Sequence, residues 1–262
     1  MKVLALVSSY RWKGNTAQMV GLLEAQLRER AAHQGVPLEF EAVNLARQEI
    51  QMCRGCRVCF NKGEELCPLK DDLLAIKEKV VTADALILAS PVYVDDVNGV
   101  MKNWIDRMAF VCHRPEFAGK VAFTVVTSGA SPARHATRTL NAALQSWGFH
   151  IVGNAGFKTG AYMRQRAIAE KYEAEIEKVA NKLYAVVTGK RYHNPTFLAL
   201  MTFRIQQIGW RKAARKDTPD YDYWHANGWL NQKAEYFFPP RASRIKVGAA
   251  RLVGSMLAGI FT

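Results

Sequence analysis

The stretch "KVLALVSSYRWKGNT" (residues 2–16) joins a buried strand to a helix through a short loop. Its first part is a continuous apolar run, which is typical of a strand covered on both faces of a sheet. After the loop, apolar residues from Met19 to Leu27 recur at helical spacing, and Gly35 ends the pattern. A strand that leads directly into a helix predicts the first unit of an α/β fold.

The same alternation continues along the chain. Four further segments predict strands: 37–45, 85–93, 120–128 and 150–157. Four further segments predict helices: 71–82, 98–112, 133–148 and 164–189. Five strands that alternate with five helices predict an α/β fold with a doubly wound, five-stranded parallel sheet over residues 1–188. Ligands bind such sheets at the carboxyl ends of the strands, so the loops after residues 9, 93 and 128 form the candidate site.

Composition is ordinary for a soluble globular protein, with 49% hydrophobic and 23% charged residues. No run of about 18 uncharged apolar residues occurs, so we expect no transmembrane helix. The apolar start is too short for a secretory signal with a cleavage site. We therefore expect a cytoplasmic protein, in which clustered cysteines are metal ligands or redox thiols rather than structural disulfides.

Residues 189–262 differ in character from the rest and predict a mainly helical C-terminal extension. They hold twelve Lys and Arg against four Asp and Glu, in a chain whose net charge is +13. A helix over 197–216, an aromatic-rich segment over 217–241 and an amphipathic helix over 242–262 follow a linker. A segment of this size is expected to pack on the main domain or on a partner subunit.

The basic charge of this extension suits nucleic acid, anionic lipid or an acidic partner. No helix-turn-helix or zinc-finger spacing accompanies it, so we expect no nucleic-acid binding.

The first candidate loop (8–16) has the features of an anion site. Ser9, Asn15 and Thr16 can donate hydrogen bonds, and Arg11 and Lys13 add positive charge. The N-terminus of the following helix presents free N–H groups and the positive end of its dipole. The loop is not a Walker A motif, since G-x4-G-K-[ST] is absent. The alternative is an ordinary turn in which Asn15 or Thr16 caps the helix.

The second and third candidate loops favour a planar ligand beside that anion. Pro91 fixes the backbone after a buried strand, and Tyr93 offers an aromatic ring. In the third loop, Thr127, Gly129 and Ser131 follow another strand, and glycine permits close approach of backbone to a ligand.

Together, "SSYRWKGNT", "ASPVYVDDVNGVMKNWIDR" and "VTSGAS" resemble the flavodoxin-like NAD(P)H-dependent FMN reductase superfamily over residues 1–188. The resemblance implies a flavodoxin-like sheet, FMN as cofactor and NAD(P)H as co-substrate. It implies that the first loop holds the FMN phosphate and that the second and third loops hold its ring. The implied cofactor-binding residues are Ser9, Arg11, Lys13, Gly14, Asn15, Thr16, Ser90, Pro91, Val92, Tyr93, Thr127, Ser128 and Gly129.

The function that the resemblance implies is an oxidoreductase that takes hydride from NAD(P)H. Its electrons would pass to a quinone, a small molecule or a protein. No catalytic side chain is required, because the flavin carries the chemistry. Two alternatives are a non-enzymatic carrier like flavodoxin and a regulatory or nucleic-acid-binding protein that uses the basic tail. A basic, extended chain is unlike the acidic, small flavodoxins.

Four of the five cysteines lie in "CRGCRVCFNKGEELC" (53–67), with the spacing C-x2-C-x2-C-x7-C. Within the superfamily the resemblance is to the iron–sulfur flavoproteins, which carry a cysteine loop after the second strand and then an acidic pair. Asp71 and Asp72 match that pair. Three hypotheses stay open: a 4Fe–4S cluster, free or redox thiols, and zinc. The proposed ligands are Cys53, Cys56, Cys59 and Cys67, whereas Cys112 is expected to be a buried thiol.

The last helix carries basic residues before an uncharged stretch. Arg241, Arg244, Lys246 and Arg251 precede "LVGSMLAGIFT". Such a helix can rest on an anionic membrane surface or bury its apolar side between subunits. We favour burial in a homodimer or homotetramer, since the superfamily commonly associates around the flavin.

Overall fold

The computed structural model describes residues 1–160, 163–189, 194–212 and 216–261. The elements are β1 (Lys2–Val7), α1 (Asn15–His33), β2 (Glu39–Asn44), α2 (Val58–Asn61), α3 (Leu73–Thr82), β3 (Ala85–Tyr93), β4 (Asp96–Val97), α4 (Gly99–Arg107), β5 (Val121–Ser128), α5 (Arg134–Ser146), β6 (His150–Lys158), α6 (Gln165–Thr188), α7 (Phe197–Lys212), α8 (Pro219–Ala226) and α9 (Arg244–Phe261).

The central sheet has five parallel strands in the order β2-β1-β3-β5-β6. Alternate residues of β1 enter different cores, as the period of two along a strand requires. Leu4 and Leu6 lie in the core that also contains residues of α3, α4 and α5. Val3, Ala5 and Val7 lie in the core that also contains residues of α1 and α6. The prediction of a doubly wound, five-stranded parallel sheet is therefore confirmed, and it is of the flavodoxin-like type.

A short hairpin, not predicted from the sequence, follows β3. The chain turns back at Val94 and Asp95, with φ of 48° and 69°, and pairs β4 antiparallel to the end of β3. The helix expected over 98–112 ends earlier, at Arg107, and a turn of 3₁₀ helix continues it at Ala109–Cys112. Trp104 and Met108 on this segment are fully buried in the core.

The C-terminal region is mainly helical, as predicted. Helices α7 and α9 pack on each other through Leu200, Val247 and Ala250. The aromatic segment between them folds around Trp224 and Phe203, and the linker at 190–193 lies outside the described residues. No helix in the described part of the chain is long and apolar enough to cross a membrane.

Candidate functional site

The three candidate loops lie side by side because the strands that precede them are neighbours in the sheet. Val7 at the end of β1 pairs with Ala89 of β3, and Pro91 of β3 pairs with Thr127 of β5. Their carboxyl ends therefore meet along one edge. The structure brings the predicted residues of all three loops together at this edge.

Side-chain hydrogen bonds tie the first loop to its neighbours. The hydroxyl groups of Thr16 and Thr127 are 2.6 Å apart, and both residues are buried. Asn15 Nδ2 donates to Thr159 Oγ1 at 2.8 Å, just beyond the end of β6. Asn15 and Thr16 thus connect loops and do not cap α1; Gly14 occupies the N-cap position instead.

The N-terminus of α1 lies at this edge of the sheet. None of the described side chains accepts a capping hydrogen bond from its first backbone N–H groups. The first backbone hydrogen bond of the helix runs from Gln18 N to Gly14 O, so the preceding N–H groups remain available to an anion. A Cβ on Gly14 would lie 2.9 Å from the carbonyl oxygen of Arg11 and 3.7 Å from its Nε. Glycine is therefore required here, and the Arg11 side chain lies beside the helix end. Lys13 is also exposed.

Asn98 connects the first loop to the second, whereas its sequence position indicates only the start of the helix predicted over 98–112. Its side chain is fully buried. Its Nδ2 donates to the carbonyl of Ser8 at 2.6 Å, and its Oδ1 accepts from Met101 N at 3.2 Å, which caps α4. Its backbone N–H donates to Ser90 Oγ at 3.4 Å. One amide therefore fixes two loops and one helix.

The second loop lies at the carboxyl end of β3, between the other two loops. Ser90 is buried, Pro91 and Val92 are half-buried, and Tyr93 is 45% exposed. The hairpin beyond Tyr93 contacts α5, where Asp95 Oδ2 lies 2.6 Å from His135 Nδ1. An exposed aromatic on a fixed hairpin can cover one side of a planar ligand.

The third loop is fixed by its own hydrogen bonds and by the chain after β6. Thr127 and Ser128 are buried, whereas Gly129 is exposed. Ser128 Oγ donates to the carbonyl of Ser131 at 2.7 Å. Gly160 N donates to the carbonyl of Gly129 at 3.1 Å. The backbone around Gly129 is therefore held in place while remaining open to solvent.

The cysteine loop lies against α4, whose polar face holds its first residues. Asn103 accepts from Cys53 N at 3.2 Å and donates to the carbonyl of Gln51 at 3.2 Å. One helical turn on, Arg107 donates to the same carbonyl at 2.8 Å. Two side chains of α4 thus position the entry to the loop.

The acidic pair after the loop completes this clamp. Asp71 forms a two-pronged pair with Arg107, at 2.6 Å and 3.1 Å, and both side chains are almost fully buried. Burial acts to raise the pKa of Asp71, but hydrogen bonds from Arg107 and from two backbone N–H groups outweigh it and lower that pKa. Asp72 accepts from Glu49 N at 2.8 Å. Both carboxylates therefore hold the loop's ends together.

The four cysteines of the loop differ in exposure. Cys53 and Cys56 are exposed, and Cys59 and Cys67 are half-buried; all four thiols are free. Burial raises the pKa of the Cys59 thiol, and the sulfurs of Cys67 and Cys53 raise it further. Among the described residues, no three His, Cys, Asp or Glu side chains converge as a metal-binding group. As it stands, the loop does not present a ligand set for a metal.

Arg114 links the cysteine loop to the C-terminal region. It is buried, and it pairs with Glu64 of the loop at 2.7 Å and with Asp220 of α8. It also donates to the carbonyl of Cys59 at 3.0 Å. Lys77 forms a second ion pair with Glu64 at 2.8 Å. Burial acts to raise the pKa of Glu64, but hydrogen bonding to Lys77 and the nearby positive charges lower it.

A cavity of about 570 Å³ lies away from these loops, between the C-terminal region and the start of β6. Phe149, Phe203 and Phe237 contribute to its lining. Cys112 also faces it and is half-exposed, so the expectation of a buried thiol is wrong. Its sulfur lies 3.2 Å from Ser146 Oγ. The cavity is at the amino ends of the strands, opposite the candidate site.

The strand order, with three loops side by side at the carboxyl ends of the strands, defines a flavodoxin-like α/β protein. The chain belongs to the NADPH-dependent FMN reductase family, whose family model matches residues 1–163. It is accordingly an oxidoreductase of that family. The recognition made from the three loop motifs is confirmed.

Two relatives are named iron–sulfur flavoproteins. One, from Archaeoglobus fulgidus, is 36% identical over 156 residues, which are 59% of this chain and 67% of the relative. The other, from Methanocaldococcus jannaschii, is 37% identical over 107 residues, which are 41% of this chain and 51% of the relative. The chain thus spans only about half of the second relative.

A solved structure resembles nearly the whole chain. RosB, crystallised with the bound intermediate 8-demethyl-8-formylriboflavin-5'-phosphate, gives a TM-score of 0.58 at 14% identity. The alignment covers 94% of this chain and 97% of RosB. The likeness therefore extends beyond the flavodoxin-like sheet into the C-terminal region, and at this identity it shows the fold alone.

Proposed function

We propose that this protein is an FMN-dependent oxidoreductase that takes hydride from NAD(P)H and passes electrons to a quinone, a small molecule or a protein. The observation that carries the proposal is the uncapped N-terminus of α1, with Gly14 at its N-cap, beside two ordered strand-end loops. Membership of the reductase family supports the proposal. The riboflavin phosphate derivative bound to RosB supports it as well.

The residues proposed to hold FMN divide between its phosphate and its ring. Backbone N–H groups at the start of α1, with Arg11 and Lys13, would bind the phosphate. The segment 90–93 and the segment 127–129 would flank the ring. FMN, when bound, supplies the chemistry by accepting a hydride and releasing electrons.

The work of the side chains is to keep that site rigid. Asn15, Thr16 and Asn98 direct their hydrogen bonds to neighbouring loops, and this leaves the backbone donors to the ligand. A site held in one geometry before binding loses less entropy when the ligand arrives. No side chain is proposed as a catalytic acid, base or nucleophile.

The proposal extends to a 4Fe–4S cluster on Cys53, Cys56, Cys59 and Cys67. The names of the archaeal relatives support it. The loop as described does not bring three ligands together, so assembly of a cluster would require the loop to close. No electron-transfer step is derived through it.

A flavin-binding experiment tests the central proposal. FMN is titrated into apoprotein while flavin fluorescence is followed, and Gly14→Ala is compared with Gly21→Ala. A Cβ on Gly14 meets the Arg11 carbonyl, whereas a Cβ on Gly21 of α1 meets nothing within 4 Å. Gly14→Ala is expected to weaken FMN binding by about tenfold or more, and Gly21→Ala to leave it unchanged. A protein that binds no FMN would overturn the proposal.

Turnover and iron content are measured on the same preparation. Steady NADH or NADPH oxidation with a quinone acceptor would distinguish an enzyme from a carrier that only exchanges electrons.

The protein is purified without oxygen for iron and zinc analysis. About four iron atoms per chain would support the cluster. Zinc, or no metal, would refute it and leave the flavin proposal standing.

Assembly and location are further proposals. We propose a homodimer or homotetramer in the cytoplasm, and sedimentation velocity of the FMN-loaded protein would measure the number of subunits. A monomer at micromolar concentration would contradict the assembly proposal.

A further inference from the structure

The outer face of α9 is an apolar stripe that the described residues leave uncovered. Ile245, Leu252, Met256 and Ile260 are 86%, 64%, 66% and 74% exposed. Their spacing of seven, four and four residues places them along one side of the helix. A helix rises about 1.5 Å per residue, so the stripe from Ile245 to Ile260 is about 22 Å long. Soluble proteins rarely expose so continuous an apolar surface without a binding role.

The opposite side of α9 is fixed to the body of the protein. Gly254 lies so close to α7 that a Cβ there would be 2.8 Å from the Met201 carbonyl. Arg204 of α7 donates to Ser255 Oγ at 2.9 Å. Helix α9 is therefore fixed on α7, and a partner that binds its outer face would hold the C-terminal region in a fixed orientation.

Helix α9 and the helix it packs on, α7, carry only positive charge. Helices α7 and α9 carry six Arg and Lys residues and no Asp or Glu. The two helices run parallel, because Lys246 near the start of α9 donates to the Pro195 carbonyl just before α7. Arg244 consequently lies at one end of the stripe, and Arg211 and Lys212 lie near the other.

We propose that the outer face of α9 rests on the surface of an anionic phospholipid bilayer, with the helix parallel to the membrane. Such a surface offers an apolar layer for the stripe and negative headgroups for its basic ends. A second copy of this chain fits less well, since each copy would bring the same basic helices, which hold no carboxylate of their own. This proposal replaces the burial of the helix between subunits that the sequence pattern favours. The proposal does not depend on the flavin chemistry.

Co-sedimentation of the full-length protein with vesicles tests this proposal. Vesicles of phosphatidylcholine and phosphatidylglycerol in equal parts are compared with pure phosphatidylcholine at low salt. The double variant Leu252→Glu/Met256→Glu places two charges on the stripe. The control Ala167→Glu/Ala174→Glu adds the same two charges at exposed positions of α6.

The expected result is that wild type and the α6 control sediment with anionic vesicles. The α9 variant should partition at least about tenfold more weakly, since two apolar anchors are lost and two like charges meet the headgroups. Binding should also fall at 1 M salt, where the Debye length is only about 3 Å. Thermal unfolding of both variants checks that each remains folded.

Three outcomes would overturn the proposal. The first is wild type that stays in the supernatant with anionic vesicles at low salt. The second is equal binding of the two double variants to the vesicles. The third is a wild-type oligomer that forms without lipid and that the α9 variant alone dissociates, in which case a second copy covers the stripe.

Discussion

Substituting Asp71 by Asn should destabilise the protein strongly, because Asp71 is the only carboxylate that pairs with Arg107 among the described residues. The two side chains are 1% and 2% exposed, with Arg107 Nη1 and Asp71 Oδ2 2.6 Å apart. An asparagine at this position would keep the size of the side chain but offer a single oxygen acceptor, whereas Gln51 N and Leu73 N donate to different oxygens of Asp71. The substitution would therefore remove the negative charge beside a buried guanidinium and, with it, the acceptor of one backbone N–H.

The size of the effect follows from the burial of the pair. A buried ion pair that loses one partner typically costs about 3–5 kcal/mol, since the remaining charge stays desolvated. In a domain of about 150–250 residues, 1 kcal/mol corresponds to about 2–4 °C in Tm. The expected fall in Tm is therefore about 6–20 °C, measured by circular dichroism at neutral pH.

Two controls isolate the charge. Asp72→Asn changes the neighbouring carboxylate, which accepts from Glu49 N but has no ion pair among the described residues, and should cost about 1 kcal/mol or less. Asp71→Leu/Arg107→Met removes both charges, and should recover much of the loss because no charge is left buried alone.

The pH dependence supplies an independent check. The pKa of Asp71 is lowered in the folded protein, so its contribution to stability is fully present above the carboxyl's unfolded pKa of about 3.9. The contribution is lost as the pH falls through the lowered, folded pKa. The Tm difference between wild type and Asp71→Asn should thus narrow only below about pH 4. Equal Tm values for Asp71→Asn and Asp72→Asn at neutral pH would refute the reasoning.

Three further substitutions test other features. Gly254→Ala should lower the free energy of unfolding by about 1–3 kcal/mol and expose the C-terminal region to limited proteolysis, because the added Cβ meets the Met201 carbonyl. The control Gly248→Ala, whose Cβ meets nothing within 4 Å, should be neutral or stabilising. Equal digestion of the two variants would contradict this prediction. Val94→Asn should raise the free energy of unfolding by about 1 kcal/mol, because a β-branched residue is strained at a φ of 48°. The Val94 side chain is fully exposed, so its replacement removes no packing. An unchanged denaturation midpoint would argue against strain. Asn98→Asp should keep the cap of α4 but lose the hydrogen-bond donor to the Ser8 carbonyl. The free energy of unfolding should fall by about 1–3 kcal/mol, and FMN binding should weaken. Thermal unfolding and FMN titration that match wild type would contradict this prediction.

The sheet and its helices could be predicted because their signals are local. Each buried strand is a short apolar run, and each helix shows a 3.6-residue period, as Met19 to Leu27 does. The hairpin after β3 could not be predicted, since its turn is made by Val94 and Asp95. Two-residue turns with positive φ usually carry Asn-Gly or a similar pair, and a valine gives no such signal.

The connections within the candidate site were beyond sequence reasoning for a different reason. Asn98 meets a carbonyl 90 residues away, and Asn15 meets Thr159, which is 144 residues away. Periodicity and spacing say nothing about such pairs until the topology is known. The motifs therefore indicated three candidate loops, whereas the side-chain hydrogen bonds that join these loops became visible only in the structure.

The buried cation Arg114 makes the C-terminal region part of the cysteine loop's environment. Its guanidinium satisfies Glu64 on one side and Asp220 on the other, while also holding the Cys59 carbonyl. A buried charge that loses a partner is costly, so Glu64 and Asp220 stabilise each other's positions through Arg114. Cys59 and Cys67 flank Glu64 in the chain, so a movement of this segment would disturb the pair between Glu64 and Arg114. Such a movement is opposed for as long as α8 holds Arg114 in place, so the docking of the C-terminal region and the conformation of the cysteine loop are energetically coupled.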